Sequence, residues 1–171
     1  MTRHTERPFS SGGGDNTGEL NETWTWDGAS WTKRNPKHSP PARSHAAMTF
    51  DVASGAVLLF GGSSAASANF ADTWTWDASD WTQLHPGTNP SAAQPDFCGA
   101  MVNDPVSRQT VLVLCEHRAF VQTWVWDGRT WNQRQSKSAP PALGTVEIAY
   151  NAAAGRVTLF AGPFTIVAGF P

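Results

Sequence analysis

Cysteine is nearly absent from this chain: its 171 residues hold two, Cys98 and Cys115. Two are too few for a disulfide scaffold, and their spacing is not that of a metal-ligand pair. Charge is scarce as well. Only 15% of residues are charged and the formal net charge is −2. Neither a basic surface for nucleic acid nor an acidic tail is present. No run approaches the roughly 20 apolar residues of a membrane span. The opening MTRHTERPFSSGGG has no apolar stretch of the kind a secretory signal needs, so no signal peptide is expected here. The five histidines (His4, His38, His45, His85, His117) show no paired ligand spacing. No nucleophile elbow, P-loop or paired-carboxylate motif occurs, so no catalytic residue, metal or cofactor is expected.

Tryptophan is the opposite case. Trp24, Trp26 and Trp31 are followed by Trp74, Trp76 and Trp81, then by Trp124, Trp126 and Trp131. Each step is 50 residues, and the three triplets use all nine tryptophans. The text around them repeats: TWTWDGASW, TWTWDASDW and TWVWDGRTW. A fixed period of this length marks an array of similar supersecondary units.

Two further blocks recur. PPARSHAAMTFDVASGAVLLFGG at 40–62 returns at an offset of 100 as PPALGTVEIAYNAAAGRVTLFAG at 140–162. The middle copy, 95–115, fits at an offset of 53, which places Asp104 with Asp51 and TVLV with VLLF. One unit thus contains four short runs, at 45–50, 56–60, 73–76 and from Trp81 to 84. Their β-branched and aromatic enrichment between Asp, Gly and Pro predicts strands. Asp27-Gly28 and Asp127-Gly128 predict tight hairpin turns, so Asp27, Asp77 and Asp127 read as turn formers. Trp26 and Trp31 bracket such a turn and are expected to face one another across it. Small residues in the first run (Ala46, Ala47; Gly99, Ala100) and Trp in the third and fourth suit a sheet that is crowded at an axis and splayed at a rim.

Pairing of 98–103 with 110–115 around the turn DPVSRQ sets Cys98 opposite Cys115, since both 103 + 110 and 98 + 115 equal 213. Directly opposed residues have Cβ atoms ~4.5–5.5 Å apart, against ~3.8 Å in a relaxed disulfide. Either a strained, redox-labile bond or a free thiol pair fits, depending on the compartment.

At this point the chain resembles kelch repeats of the Trp-rich bacterial type. The matching features are PPAR before the first run, FD or YN at its end, V-x-L-F-G-G on the second, T-W-T-W-D on the third and a lone Trp opening the fourth. In the middle copy Leu114-Cys115 stand where Gly61-Gly62 do, so the tight diglycine turn is in question there. The resemblance implies an all-β, kelch-type β-propeller segment of four-stranded blades, akin to the central domain of galactose oxidase. On this resemblance residues 1–171 are expected to form one partial propeller. It comprises a half-blade at 8–34, blades at 40–84 and 93–134, a half-blade at 140–162 and an irregular tail at 163–171, about three blade-equivalents. Closed propellers use 4–8 blades, so a homodimer completing a six-bladed ring is expected. The copper radical oxidases among kelch-type propellers need two tyrosines and two histidines at the metal. Tyr150 is the single tyrosine here, so that activity is not expected. The resemblance leaves localisation open: cytoplasmic for a complete chain, secreted for a piece of a longer member.

In a four-stranded unit the 1–2 and 3–4 connections share one end, and the 2–3 and 4–1 connections share the other. The latter pair is long (61–72 and 85–96) and carries all the length variation between copies. Variable loops over a fixed scaffold are where binding usually lies. The expected binding residues are Arg43, His45, Asn69, Phe70, His117, Arg118 and Phe120. The first functional reading is a non-enzymatic scaffold that binds a protein partner through these loops. A carbohydrate-binding propeller, or a remnant of a glycan-processing enzyme, is the second, motivated by the aromatic content. A truncated gene fragment is the third.

Overall fold

Thr alternating with Trp suits a pleated ladder, because β-branched and aromatic side chains pack well on its faces. An Asp follows each such run and ends it. In the computed structural model, which describes residues 14–15, 18–64, 67–91, 98–116, 120–138, 140 and 145–162, every ordered element is a strand. A short ribbon, β1 (Gly14–Asp15) and β2 (Gly18–Glu19), precedes the hairpin of β3 (Thr23–Trp26) and β4 (Trp31–Arg34). Next come β5 (Ala47–Asp51) and β6 (Ala56–Phe60), then a second ribbon, β7 (Ser63–Ser64) and β8 (Ser67–Asn69). With β9 (Thr73–Trp76) and β10 (Trp81–Leu84), strands β5 and β6 form a four-stranded antiparallel sheet in the order β5-β6-β9-β10.

The second four-stranded sheet runs β11 (Cys98–Asp104), β12 (Gln109–Glu116), β13 (Phe120–Trp126) and β14 (Trp131–Arg134) in sequential order. A last hairpin joins β15 (Thr145–Asn151) to β16 (Arg156–Gly162). Among the described residues no sheet closes into a barrel. Strand β11 packs against β5 on one side and β15 on the other, so the first strands of successive sheets lie together.

The tryptophan register is the expected one. Trp26 faces Trp31, Trp76 faces Trp81 and Trp126 faces Trp131, with ring centroids 5.2–5.5 Å apart. In each hairpin the Asp accepts two turn N–H groups at 2.8–2.9 Å: Ala29 and Ser30 on Asp27, Ser79 and Asp80 on Asp77, Arg129 and Thr130 on Asp127. Gly28 and Gly128 take φ of 103° and 96°, and Ala78 is forced to 78° at the same place. The first Trp of each triplet donates its indole N–H two residues back, to Glu22, Asp72 or Gln122.

A second indole bond joins neighbouring sheets. Trp131 Nε1 donates to Thr73 Oγ1 at 3.0 Å, and Trp81 Nε1 donates to Thr23 Oγ1 at 2.8 Å. The cores follow these contacts. Leu58 and Phe60 of the first sheet meet Leu112, Trp124, Trp126 and Trp131 of the second. Ala100, Val113 and Cys115 of the second meet Val146 of the last hairpin, with Ile148 and Leu159 packed alongside. At the sheet junction, fully buried Asp51 accepts from Thr110 Oγ1 at 2.9 Å and from Asn103 Nδ2 at 3.3 Å.

The departure at Leu114-Cys115 has a structural counterpart. Strand β12 runs on through both residues, and β13 lengthens to pair with them: Leu114 with Gln122 and Cys115 with Val121. Residues with a Cβ stay in the ladder, where Gly61 and Gly62 leave it at φ of 70° and 99°. Cys98 stands directly opposite Cys115. Cys115 is disulfide-bonded, and Cys98 is the other cysteine of the chain.

Gly62 has a second constraint besides its φ. A Cβ there would meet Ser44 O at 2.7 Å and Ala46 N at 3.1 Å, both backbone atoms that cannot swing aside. Gly62→Ala is expected to cost about 2–4 kcal/mol, the sum of left-handed strain and displaced backbone. Urea melts of the two proteins check this, and a loss below about 1 kcal/mol would show the approach to be slack.

Candidate functional site

The loop end of the first sheet is assembled by the two segments expected to meet there. Ser44 and Ser63 form an isolated antiparallel bridge, N–H to O at 2.8 and 2.9 Å, which ties the 4–1 connection to the start of the 2–3 connection. Phe70 N–H donates to Gly62 O at 2.8 Å and closes the base of the β7–β8 ribbon. Glycines at 61 and 62, at φ of 70° and 99°, let the chain turn sharply out of β6.

Arg43 is the hub, and it is buried, with 5% of its surface exposed. Its guanidinium grips Asp72 in a fork, Nη1 to Oδ1 at 2.6 Å and Nη2 to Oδ2 at 2.9 Å. Nη1 also donates to Gly61 O and Nε to Pro41 O. The same group lies over the Phe70 ring, 4.1 Å from its centroid. Arg43 thus holds both ends of the 61–72 loop and a face of Phe70, and its donors are turned inward. It positions the surface and does not present a cation to it.

His45 is exposed, at φ 60°, with Nδ1 3.0 Å from Ser44 Oγ. A non-glycine residue in this region carries strain that the surroundings must hold, and such strain collects at binding sites. Asn69, at the end of β8, and Phe70 are half-buried. Arg43, His45, Asn69 and Phe70 therefore belong to one loop assembly. His117 and Arg118 lie outside the described residues. Phe120 opens β13 opposite Glu116, in the extended hairpin of the second sheet.

The other long connection is less free than its length implies. His38 N–H donates to Asp80 Oδ1 at 2.7 Å, and its Nδ1 lies 2.7 Å from Oδ2. One unit later, Thr88 N–H donates to Thr130 Oγ1 at 3.0 Å, and Trp131 N–H donates to Thr88 O. Two of the 4–1 connections are thus pinned to the 3–4 turn of the following sheet, 42 residues on. Sequence spacing gave no sign of this bond.

Burial pushes the Asp72 carboxyl up, but hydrogen bonds from Arg43 and Trp74 and the Arg43 charge outweigh it and hold the group below its ordinary value. With a folded pKa below the unfolded one of about 3.9, the loop contributes stability above that pH and loses it as pH falls through the folded value. Urea midpoints of the wild type should therefore fall between pH 6 and pH 2.5. Asp72→Asn should start lower and show a shallower acid limb, and parallel limbs would overturn the assignment. Among the described residues no cluster of three His, Cys, Asp or Glu is arranged to hold a metal.

No model of a known protein family and no curated protein matches the chain.

Proposed function

We propose that the chain is a kelch-type β-propeller segment that serves as a non-enzymatic scaffold, binding a protein partner through the loop end built by 43–45 and 61–72. The two four-stranded sheets and flanking hairpins act as blades, with β5, β11 and β15 around the axis. The observation that carries the binding reading is the loop assembly itself. A buried Arg43–Asp72 fork and a cation–π contact to Phe70 fix the base of the 61–72 connection, and exposed His45, at φ 60°, stands on the 43–45 segment that the Ser44–Ser63 bridge ties to it. Pre-ordered loops bind with less entropy loss than mobile ones.

The test is crosslinking of the purified chain to its partner in cells of its source, with His45→Ala/Asn69→Ala as the loop variant and Ser79→Ala, in a turn far along the chain, as control. Loss of one defined protein adduct with the loop variant alone supports the reading. Equal adducts from both variants overturn it. Retention on a glycan array, abolished by Phe70→Ala, would replace the protein partner with a carbohydrate.

A further inference from the structure

The three tryptophan triplets share one spacing, but two are buried and one is exposed. Trp74, Trp76 and Trp81 are 6–9% exposed, and Trp124, Trp126 and Trp131 are 0–8% exposed. Trp24, Trp26 and Trp31 are 48%, 51% and 56% exposed. The reason lies in the direction of packing. The Trp face of the second sheet packs on the first sheet, with Trp131 bonded to Thr73, and on the Trp face of the first sheet Trp81 reaches the β3–β4 hairpin through its bond to Thr23. The β3–β4 hairpin has no preceding sheet among the described residues, so its Trp face is bare.

The opposite end of the array is open in a matching way. Thr123 occupies the acceptor position of Thr23 and Thr73 one unit on, and no described Trp reaches it. Phe160 corresponds to Phe60, which is 0% exposed and lies edge-on to Trp131 at 5.5 Å; Phe160 is 78% exposed. Among the described residues strand β16 pairs with β15 alone, whereas its counterpart β6 pairs with β5 and β9. Within one chain β3–β4 and β15–β16 remain separate two-stranded sheets, so neither open end satisfies the other.

We infer that two copies of the chain join head to tail and back, with β3 of each pairing with β16 of the other to make two composite four-stranded blades. This rests on the blade reading above but not on the loop-binding reading, which could fail with the dimer intact. The register follows from the intact sheet, where Val57 pairs with Trp76, Leu58 with Thr75 and Leu59 with Trp74. Carried to the composite blade, Val157 pairs with the second copy's Trp26, Thr158 with its Thr25 and Leu159 with its Trp24. The second copy's Trp31 then donates its indole N–H to Thr123, and its Trp81 covers Phe160. Each joint repeats an interface already present twice within the chain, so it calls for no new surface chemistry. Both open ends close in the same step, as two-fold symmetry requires. Exposed apolar flanks of this kind are what soluble monomers avoid.

Two measurements test it. Thr25→Cys/Thr158→Cys, oxidised mildly, should give a covalent dimer on a denaturing gel under conditions where Thr25→Cys/Arg156→Cys, out of register, gives none. An internal crosslink, or equal linking by both pairs, overturns the proposal. In sedimentation the wild type should be a dimer at micromolar concentration. Trp31→Ala should raise the dissociation constant at least about a hundredfold, as expected for a lost interface tryptophan on each side, with circular dichroism unchanged. Thr123→Val should weaken association several-fold in the same assay. A folded wild-type monomer, or larger open aggregates in place of the dimer, would refute the paired ends.

Discussion

Trp131→Ala is expected to lower the unfolding free energy of the chain by about 3–5 kcal/mol, the range for emptying a buried aromatic site. Its ring is 0% exposed, touches Phe60 and Trp126, and its N–H reaches Thr73. Removal would empty the contact between the two four-stranded sheets and leave the buried Thr73 hydroxyl short of a donor. The same substitution at Trp31, the equivalent position of the first copy, should cost within about 0.5–1 kcal/mol in the dissociated chain, as surface changes do. Trp81→Ala should fall between them, because its contacts join a sheet to a hairpin only two strands wide. Urea melts at nanomolar protein concentration, below association, separate the three. Equal losses at Trp31 and Trp131 would show that the sheets do not pack as described.

Arg43→Ala should cost about 3 kcal/mol, at the low end for a broken buried ion pair because Asp72 retains 16% exposure. The loss has three parts: an uncompensated carboxylate, two carbonyls (Pro41 and Gly61) without their donors, and a Phe70 ring without its cation. Arg43→Lys should recover less than half, since an ammonium cannot make the fork to both Asp72 oxygens. Limited proteolysis should cut the 61–72 connection much faster in both variants than in wild type. If cleavage there is unchanged, Arg43 does not hold the loop.

Much of the fold was legible because it is written in short-range signals. The Thr–Trp alternation sets strands and faces, the Asp turns set hairpin register, and these give Trp26 against Trp31 and Cys98 against Cys115 directly. What period and turn chemistry cannot report is which side chains meet across sheets. Thr23 and Thr73 look like ordinary strand residues, yet they accept the indole bonds that join neighbouring sheets. Their signal was present in the sequence: Thr precedes the first Trp in all three copies, and a strand propensity alone does not demand that. Arg43 is an expected binding residue from its place beside the long loops, and its structural role is not legible there: its partner Asp72 is 29 residues away, and charge pairing over that distance has no local pattern. The same limit hid the Asp51–Thr110–Asn103 network, whose members belong to different units. The altered 2–3 connection of the second sheet was half visible, in the exchange of Gly-Gly for Leu-Cys. Its outcome, a longer ladder, depends on the partner strand being able to follow.

The closed base of the 61–72 loop makes it a natural point for grafting foreign sequence. Its ends are clamped by the Ser44–Ser63 bridge, the Phe70–Gly62 bond and the Arg43–Asp72 fork. Chain added between Ser64 and Ser67 would leave from a stem whose two strands are already paired. Closure entropy grows only by about 0.6 kcal/mol for each doubling of loop length. An inserted epitope or peptide ligand would therefore be displayed from a rigid stem at nearly constant scaffold stability.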